Sequence, residues 1–394
     1  MSGLNSTPSG ERIHIAFFGK RNAGKSSLVN AFAGQEISIV SETLGTTTDP
    51  VSKAMELLPL GPVKIIDTAG IDDEGVLGEK RILKTKNILN KTDIAVIVTE
   101  NPDSEKELIS IIKDKDIPFI IARNKSDLLK KIPEDEENII YVSAISGYGI
   151  NKLREAIANI SLADANKKAL VSDLISSLDT VVLVVPIDKS APKGRLILPQ
   201  QQAIRDILDA GAISIVCRDT ELKETLNKLK NPPSLVITDS QVFSVVKNIV
   251  PDHIPLTSFS ILMARYKGEL SLLSSSAKEI DNIRSGDKIL IAEGCSHHRQ
   301  CEDIGTVKLP AMIRKHTGAE PEFHFVSGGD FPENLSEYKM IIHCGGCMLN
   351  SKEIKYRLRC AKDSGIPITN YGTLIAYLNG ILQRSIAPFP EFNP

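Results

Sequence analysis

Short apolar runs alternate with longer amphipathic stretches along nearly the whole chain. This is the pattern of an α/β protein whose strands are buried in mainly parallel sheets. Three blocks follow one another. In the first, Arg12 to Ile160, the pattern predicts strands at Ile13–Phe18, Val63–Asp67, Ile94–Thr99, Pro118–Asn124 and Ile139–Val142, and a helical run over Ser27–Phe32. The polar stretch Ser161–Lys168 reads as a linker or helix tail. In the second, Leu170 to Ser260, strands are expected at Val181–Pro186, Ile213–Arg218, Leu235–Thr238 and Ile254–Phe259, and helices at Gln200–Asp209, Glu221–Leu229 and Gln241–Ile249. In the third, from Leu262 to the end, strands are expected at Lys288–Ala292, Glu322–Val326, Met340–Ile342 and Ile366–Thr369, and helices at Leu309–His316, Ser351–Ser364 and Thr373–Leu382. Pro367 places the last strand at a sheet edge or makes it a strand start, since proline cannot donate to a ladder. The proline-rich tail Ala387–Pro394 reads as irregular. No repeat at solenoid periods and no low-complexity tract is visible.

A chain of 394 residues is too long for one core, so several domains are expected, each with a mainly parallel sheet. The net charge of −2 gives no support for non-specific binding to nucleic acid or to anionic membrane, and neither partner is expected. The opening MSGLNSTPSGER lacks an apolar signal core, and no apolar run is long enough to cross a bilayer. The reading is a soluble, cytoplasmic protein whose thiols stay reduced and available to metal.

The segment Gly19–Ser26 fits G-x-x-x-x-G-K-[ST] and lies between a strand and a helix, as a phosphate-binding loop must. Its backbone amides, from Gly19 through Asn22, Ala23 and Gly24 to Ser27, are positioned to cradle phosphates. Lys25 would reach the β- and γ-phosphates, and the Ser26 hydroxyl would bind Mg²⁺. Asp67-Thr-Ala-Gly70 ends an apolar strand, bringing a carboxylate to the metal and a Gly70 amide towards the γ-phosphate. Asn124-Lys-Ser-Asp127 ends another strand. Asp127 can accept from the N1–H and amine of guanine, which adenine does not offer. Asn124 would brace the loop, the Lys125 stem would cover the base, and the Ser143-Ala144 backbone could reach guanine O6. Gly45-Thr-Thr-Thr48 lies where a switch loop belongs. Thr47 is the choice for the second Mg²⁺ hydroxyl, with Thr46 next, and Ile71–Lys80 reads as a second switch. GTP or GDP with Mg²⁺ is the cofactor set, and Lys25, Thr47 and Asn22 are the candidate catalytic residues.

Four of the six cysteines lie between Cys295 and Cys347. Cys295-Ser-His297 follows one predicted strand, and His343-Cys344-Gly-Gly-Cys347 follows another. Ligands gather outside the carboxyl ends of parallel strands, so Cys295, Cys344 and Cys347 can converge, with His297 and His343 close by. A closed Cys₃His zinc site and an iron–sulfur cluster with one exchangeable iron both fit these residues. Cys217 and Cys360 read as core residues. Cys301 lies outside the spacing, and His298 is a donor to the site or a solvated residue.

The first block resembles the tRNA-modification GTPase (TrmE/Era) branch. Ile71 stands where Ras-like enzymes carry a water-orienting glutamine, and Asn22 stands where such GTPases hold a potassium ion. The resemblance therefore implies slow, K⁺-stimulated hydrolysis. A GTPase followed by an α/β block and then C-x-H…H-C-x-x-C resembles the HydF family of [FeFe]-hydrogenase maturation GTPases. That resemblance implies a G domain over residues 1–165, a dimerisation domain over 166–262 and a cluster domain over 263–394. It also implies a [4Fe–4S] cluster on Cys295, Cys344 and Cys347, with His297, His343, Asp303 or water as fourth ligand. The implied function is a homodimeric scaffold that receives a transient di-iron subcluster precursor. Its partners would be two radical-SAM maturases (HydE and HydG) and the apo-[FeFe]-hydrogenase (HydA). An RNA- or ribosome-associated GTPase with a zinc accessory domain is the alternative, and a redox enzyme is the third.

Overall fold

The structure, a computed structural model, describes residues 7, 9–34, 51–58, 60–68, 87–101, 105–136, 138–163, 169–187, 196–294, 304–328, 331–332 and 334–392. The chain divides into two compact units, Met1–Lys167 and Lys168–Pro394. No described helix is long and apolar enough to cross a membrane.

The first unit contains β1 (Ile13–Phe18), α1 (Lys25–Ala33), β2 (Val51–Leu57), β3 (Gly61–Asp67), β4 (Ile94–Thr99), α2 (Lys106–Asp114), β5 (Phe119–Arg123), β6 (Ile139–Tyr141) and α3 (Ile150–Ala163). They build one sheet in the order β2-β3-β1-β4-β5-β6. Among the described strands of this unit only β2 runs antiparallel to its neighbour; the other pairings are parallel. β1 is buried on both faces. Ile15 and Phe17 point into one apolar cluster with Phe32 and Ile157, while Ala16 and Phe18 point into a second with Ile97 and Ile112. Continuous apolar runs of this kind announce central parallel strands. β2 alternates between half-buried and exposed positions, as an edge strand does, and carries no continuous apolar run. That is why the apolar-run reading passes over it.

The second unit holds two further sheets. β7 (Thr180–Val184), α4 (Leu198–Asp209), β8 (Ile213–Cys217), α5 (Leu222–Lys228), β9 (Leu235–Thr238), α6 (Phe243–Ile249) and β10 (Leu256–Ser258) form the first, in the order β10-β9-β7-β8. Two helices, α7 (Phe259–Lys267) and α8 (Leu270–Ala277), then lead to the second. It comprises β11 (Lys288–Glu293), α9 (Leu309–Thr317), β12 (Glu322–Ser327), β13 (Met340–His343), α10 (Ser351–Asp363) and β14 (Ile368–Asn370), in the order β12-β11-β13-β14. α11 (Tyr371–Leu378) and α12 (Leu382–Ile386) close the chain. All pairings in both sheets are parallel. β14 is an edge strand, and Pro367 sits just before it with its carbonyl accepting from Ile341 N at 2.9 Å. One apolar core runs from Leu170 through Phe243, Phe259 and Ile289 to Phe389, so both sheets belong to a single packed body.

The two sheets have the same topology. In each, the second strand lies on one side of the first, and the third and fourth lie on the other. The sequence carries a trace of this. Ile254, Pro255, Thr257, Leu262, Ala264, Gly268 and Leu270 are matched in the same spacing by Ile366, Pro367, Thr369, Leu374, Ala376, Gly380 and Leu382. Ser258 caps α7 by accepting from Ile261 N (3.3 Å), and its counterpart Asn370 caps α11 by accepting from Thr373 N (2.8 Å). α7 and α11 meet at Ser260 and its own counterpart Gly372, where a Cβ would overlap the Ser260 side chain. Contact between equivalent residues marks an approximate two-fold axis through the helix pair. Gly372→Val is expected to force α11 off α7 and to destabilise the second unit by about 1–3 kcal/mol. Faster hydrogen exchange in both helices, with α1 unaffected, is the readout.

Candidate functional site

The first site lies at the carboxyl ends of β1, β3 and β5. Gly24 has φ 80°, and a Cβ there would overlap Asn124 Nδ2, so this loop closes only on glycine. Asn22 also lies in the left-handed region (φ 65°), which asparagine tolerates, and its side chain is exposed. Lys25 opens α1 and is buried. Ser26 Oγ donates to Asp67 Oδ2 at 2.6 Å. Asp67 is fully buried, and its Oδ1 has no hydrogen-bond partner. A buried carboxylate oxygen left open beside a hydroxyl is a poor arrangement without a cation, so Ser26 and Asp67 fit Mg²⁺. Thr68 ties the end of β3 to β1, its Oγ1 donating to Phe17 O at 2.7 Å.

Asn124 joins the phosphate loop to the base loop. Its Nδ2 donates to Ala23 O (2.9 Å) and its Oδ1 accepts from Ala144 N (3.2 Å). Ser143 N donates to Tyr148 O (3.0 Å), so the amides of Ser143 and Ala144 both serve the loop itself. Lys125 has φ 61° and pairs with Glu100 at 2.6 Å, which holds its stem along the loop. Asp127 is exposed, Ser27 is half-buried in α1, and Gly19 lies at the end of β1. Thr46, Thr47, Gly70 and Ile71 lie outside the described residues.

The second site lies where β11 and β13 end. β12 pairs with one side of β11 and β13 with the other, so the crevice between β11 and β13 is the switch point of this sheet. Cys344 is half-buried there. Its sulfur accepts from Gly294 N at 3.0 Å and from Gly346 N at 3.4 Å. Gly346 has φ 64°, and a Cβ would overlap Ile354, so the turn between Cys344 and Cys347 needs glycine. Amide donors on the sulfur favour a thiolate, the form that ligates iron or zinc. Cys295, His297, His298, Cys301 and Asp303 lie outside the described residues; among the described residues no group of three potential metal ligands comes together.

His343 is fully engaged by the protein. Arg357 NH1, which can only donate, lies 3.1 Å from His343 Nε2, and His343 Nδ1 lies 2.6 Å from Cys344 O. Burial and the Arg357 charge hold its pKa down at about 3, so the ring is neutral, with its proton on Nδ1. The lone pair a metal would need is taken. Arg357 also donates to Glu353 Oε1 (2.9 Å) and Gly328 O (2.5 Å), and it stacks on Phe331. Lys267, 2 % exposed, donates to Cys347 O (3.2 Å) and Leu349 O (2.9 Å), tying α7 to the cysteine loop. Sequence reading passed over Lys267, Glu353 and Arg357. The i,i+4 Glu353–Arg357 pair is visible in the sequence but looks like a solvated helix face, and nothing in the sequence marks Lys267 as buried. Cys217 is buried in β8, and Cys360 lies in α10.

Residues 14–125 match the family model described as 50S ribosome-binding GTPase. Residues 170–268 match the hydrogen maturase F dimerization domain, and residues 271–388 its tetramerization domain. The tRNA modification GTPase MnmE of Francisella tularensis subsp. novicida is 37% identical over 160 residues, which are 38% of this chain and 35% of that protein. The Francisella philomiragia MnmE is 37% identical over 158 residues, 37% of this chain and again 35% of that protein. The chain thus spans about a third of the length of these relatives, matching 35% of it. A crystal structure of Era with MgGDPNP and a 16S ribosomal RNA segment is similar at 26% identity, covering 37% of this chain and 56% of that one with a TM-score of 0.34. With the loop, the Ser26–Asp67 pair and the Asn124 brace in place, the first unit is a P-loop GTPase domain. Its two companion domains make the chain a member of the hydrogen maturase F (HydF) family.

Arg357 (1 % exposed) and Glu353 (3 % exposed) form a buried ion pair. Arg357→Met leaves Glu353 buried without its charge partner and is expected to destabilise the second unit by about 3–5 kcal/mol. The double variant Glu353→Gln/Arg357→Met is expected to recover much of that loss. Urea unfolding followed at the second unit checks both.

Proposed function

We propose that this protein is a GTP-hydrolysing scaffold that holds an iron–sulfur cluster and delivers a di-iron subcluster precursor to an apo-[FeFe]-hydrogenase. The carrying observation is the contact of Gly294 N with Cys344 Sγ. It fixes the end of β11 against the thiol beyond β13, and Cys295 is the next residue. In this reading Cys295, Cys344 and Cys347 hold a [4Fe–4S] cluster. The Gly294 and Gly346 amides stabilise the Cys344 thiolate, and Lys267 holds the loop that carries Cys347. His343 positions the Cys344 backbone, which leaves His297, Asp303 or water for the remaining corner. Such a cluster supplies one exchangeable coordination site for the precursor.

In the G domain, the loop amides and Lys25 hold the phosphates. Ser26 and Asp67, with Thr47, hold Mg²⁺, and Asp127 selects guanine. Asn22 holds K⁺, which compensates for the lack of a glutamine at Ile71, and turnover is slow. Nucleotide state governs partner binding and release. The partners are the radical-SAM maturases HydE and HydG and the hydrogenase HydA, in the cytoplasm. A homodimer forms through the edge strand β8, whose Ile213 and Val216 are 48 % and 47 % exposed.

A second reading is an RNA-associated GTPase with a zinc domain. It is favoured by the likeness of the G domain to a tRNA modification GTPase.

Anaerobic reconstitution separates the two readings. Wild-type protein is expected to take up iron and sulfide and to give a cluster EPR signal on reduction, and Cys344→Ser is expected to lose that signal. Colourless protein with stoichiometric zinc, or co-purified RNA, supports the second reading. In the G domain, Asp127→Asn is expected to weaken GTP binding about a hundredfold or more. Faster GTP turnover in K⁺ than in Na⁺, lost in Asn22→Ala, is the expected signature of the potassium site; equal rates would remove it.

A further inference from the structure

The approximate two-fold between the halves of the second unit relates two crevices as well as two sheets. One is the switch point at Gly294 and Cys344. The other lies beyond Val184 and Thr238, at the ends of β7 and β9, where β8 and β9 flank β7 on opposite sides. The helices cross over between the halves. Met263 and Lys267 of α7 wall a cavity of about 20 Å³ behind Cys344. Their repeat counterparts, Ile375 of α11 and Asn379 just after it, wall a cavity of about 480 Å³ beside Ile187 and Gln241. Equivalent residues therefore line both cavities, each on the sheet of the other half. The larger one has the size of a small-molecule site, typically about 300–1,000 Å³.

Its chemistry differs from that at Cys344. Ile187, Val242, Ile304, Met312 and Ile375 give it apolar walls. Lys308 brings a cation, whose Nζ donates to Gln241 Oε1 at 2.9 Å, a neutral partner. Ser244 and Asn379 add polar atoms at the rim, and Lys247 pins Asn379 through its carbonyl at 2.9 Å. Among the described lining residues there is no thiol, imidazole or carboxylate, the groups a metal needs.

We propose that this cavity is a second ligand site, the counterpart of the cysteine crevice, and that it takes an organic anion with an apolar body. The body lies against Val242, Met312 and Ile375, and the charge meets Lys308. The site stands apart from the iron–sulfur reading, since none of its residues is offered as a cluster ligand.

The test is a fluorescence titration of the full-length chain with anilinonaphthalenesulfonate, run beside its uncharged parent phenylnaphthylamine. Wild-type protein is expected to bind the sulfonate at one saturable site. Ser244→Trp and Asn379→Trp, both on the cavity wall outside the core, are expected to abolish that binding while circular dichroism and GTP binding stay unchanged. Lys308→Gln is expected to weaken the sulfonate roughly tenfold and to leave the uncharged parent unaffected. Absence of saturable binding overturns the proposal, and so does equal affinity in both tryptophan variants. Equal weakening of the charged and uncharged probes by Lys308→Gln overturns the anion assignment.

Discussion

A parallel strand must be left at its carboxyl end by a segment that climbs over the sheet before the next strand can begin. At a switch point two such segments leave in opposite directions, and the strand ends between them face a gap rather than a neighbour. This constraint sets where chemistry can sit in the chain. Ser26 stands at the start of the helix that follows β1, Asp67 is the last residue of β3, Asn124 stands just beyond β5, and Cys344 stands just beyond β13. The middle sheet is no exception, because its gap beyond β7 and β9 is the large cavity.

What fills each gap decides how the surrounding protein is braced. At the nucleotide site a single amide, Asn124, holds two loops together while leaving the Asp67 oxygen open. At the cysteine site the bracing is ionic and buried. Glu353, Arg357 and His343 form a chain of hydrogen bonds that ends on the carbonyl of Cys344, and Lys267 reaches the same loop from α7. Buried ions of this kind add little net stability compared with apolar packing, but each has few alternative geometries. They suit a place where backbone position matters more than tightness.

Much of this was legible in the chain itself. The central strands announce themselves as continuous apolar runs, and the phosphate loop and guanine loop are short motifs at strand ends. β2 escaped because half its residues face solvent. α7 and α8 escaped because Phe259–Ala277 is apolar on most faces and so lacks the one-sided period of a surface helix. Lys267 and Arg357 look like ordinary surface charges, and only the packing of α7 and α10 against the cysteine loop reveals them as internal. The likeness between the two halves of the second unit was hidden for another reason. Their first two strands differ in length, and the shared residues cluster in one stretch, around Ile254–Leu270 and Ile366–Leu382.

The meeting of Ser260 with Gly372 has a consequence for assembly. A body with an internal dyad presents each outer margin twice, in related form. β8 borders one sheet and β12 the other, both second strands of their motif and both bordered on one side only among the described residues. A chain of this kind offers self-association two quasi-equivalent docking rails. Divergence of the residues along each rail can then set two successive levels of oligomer independently.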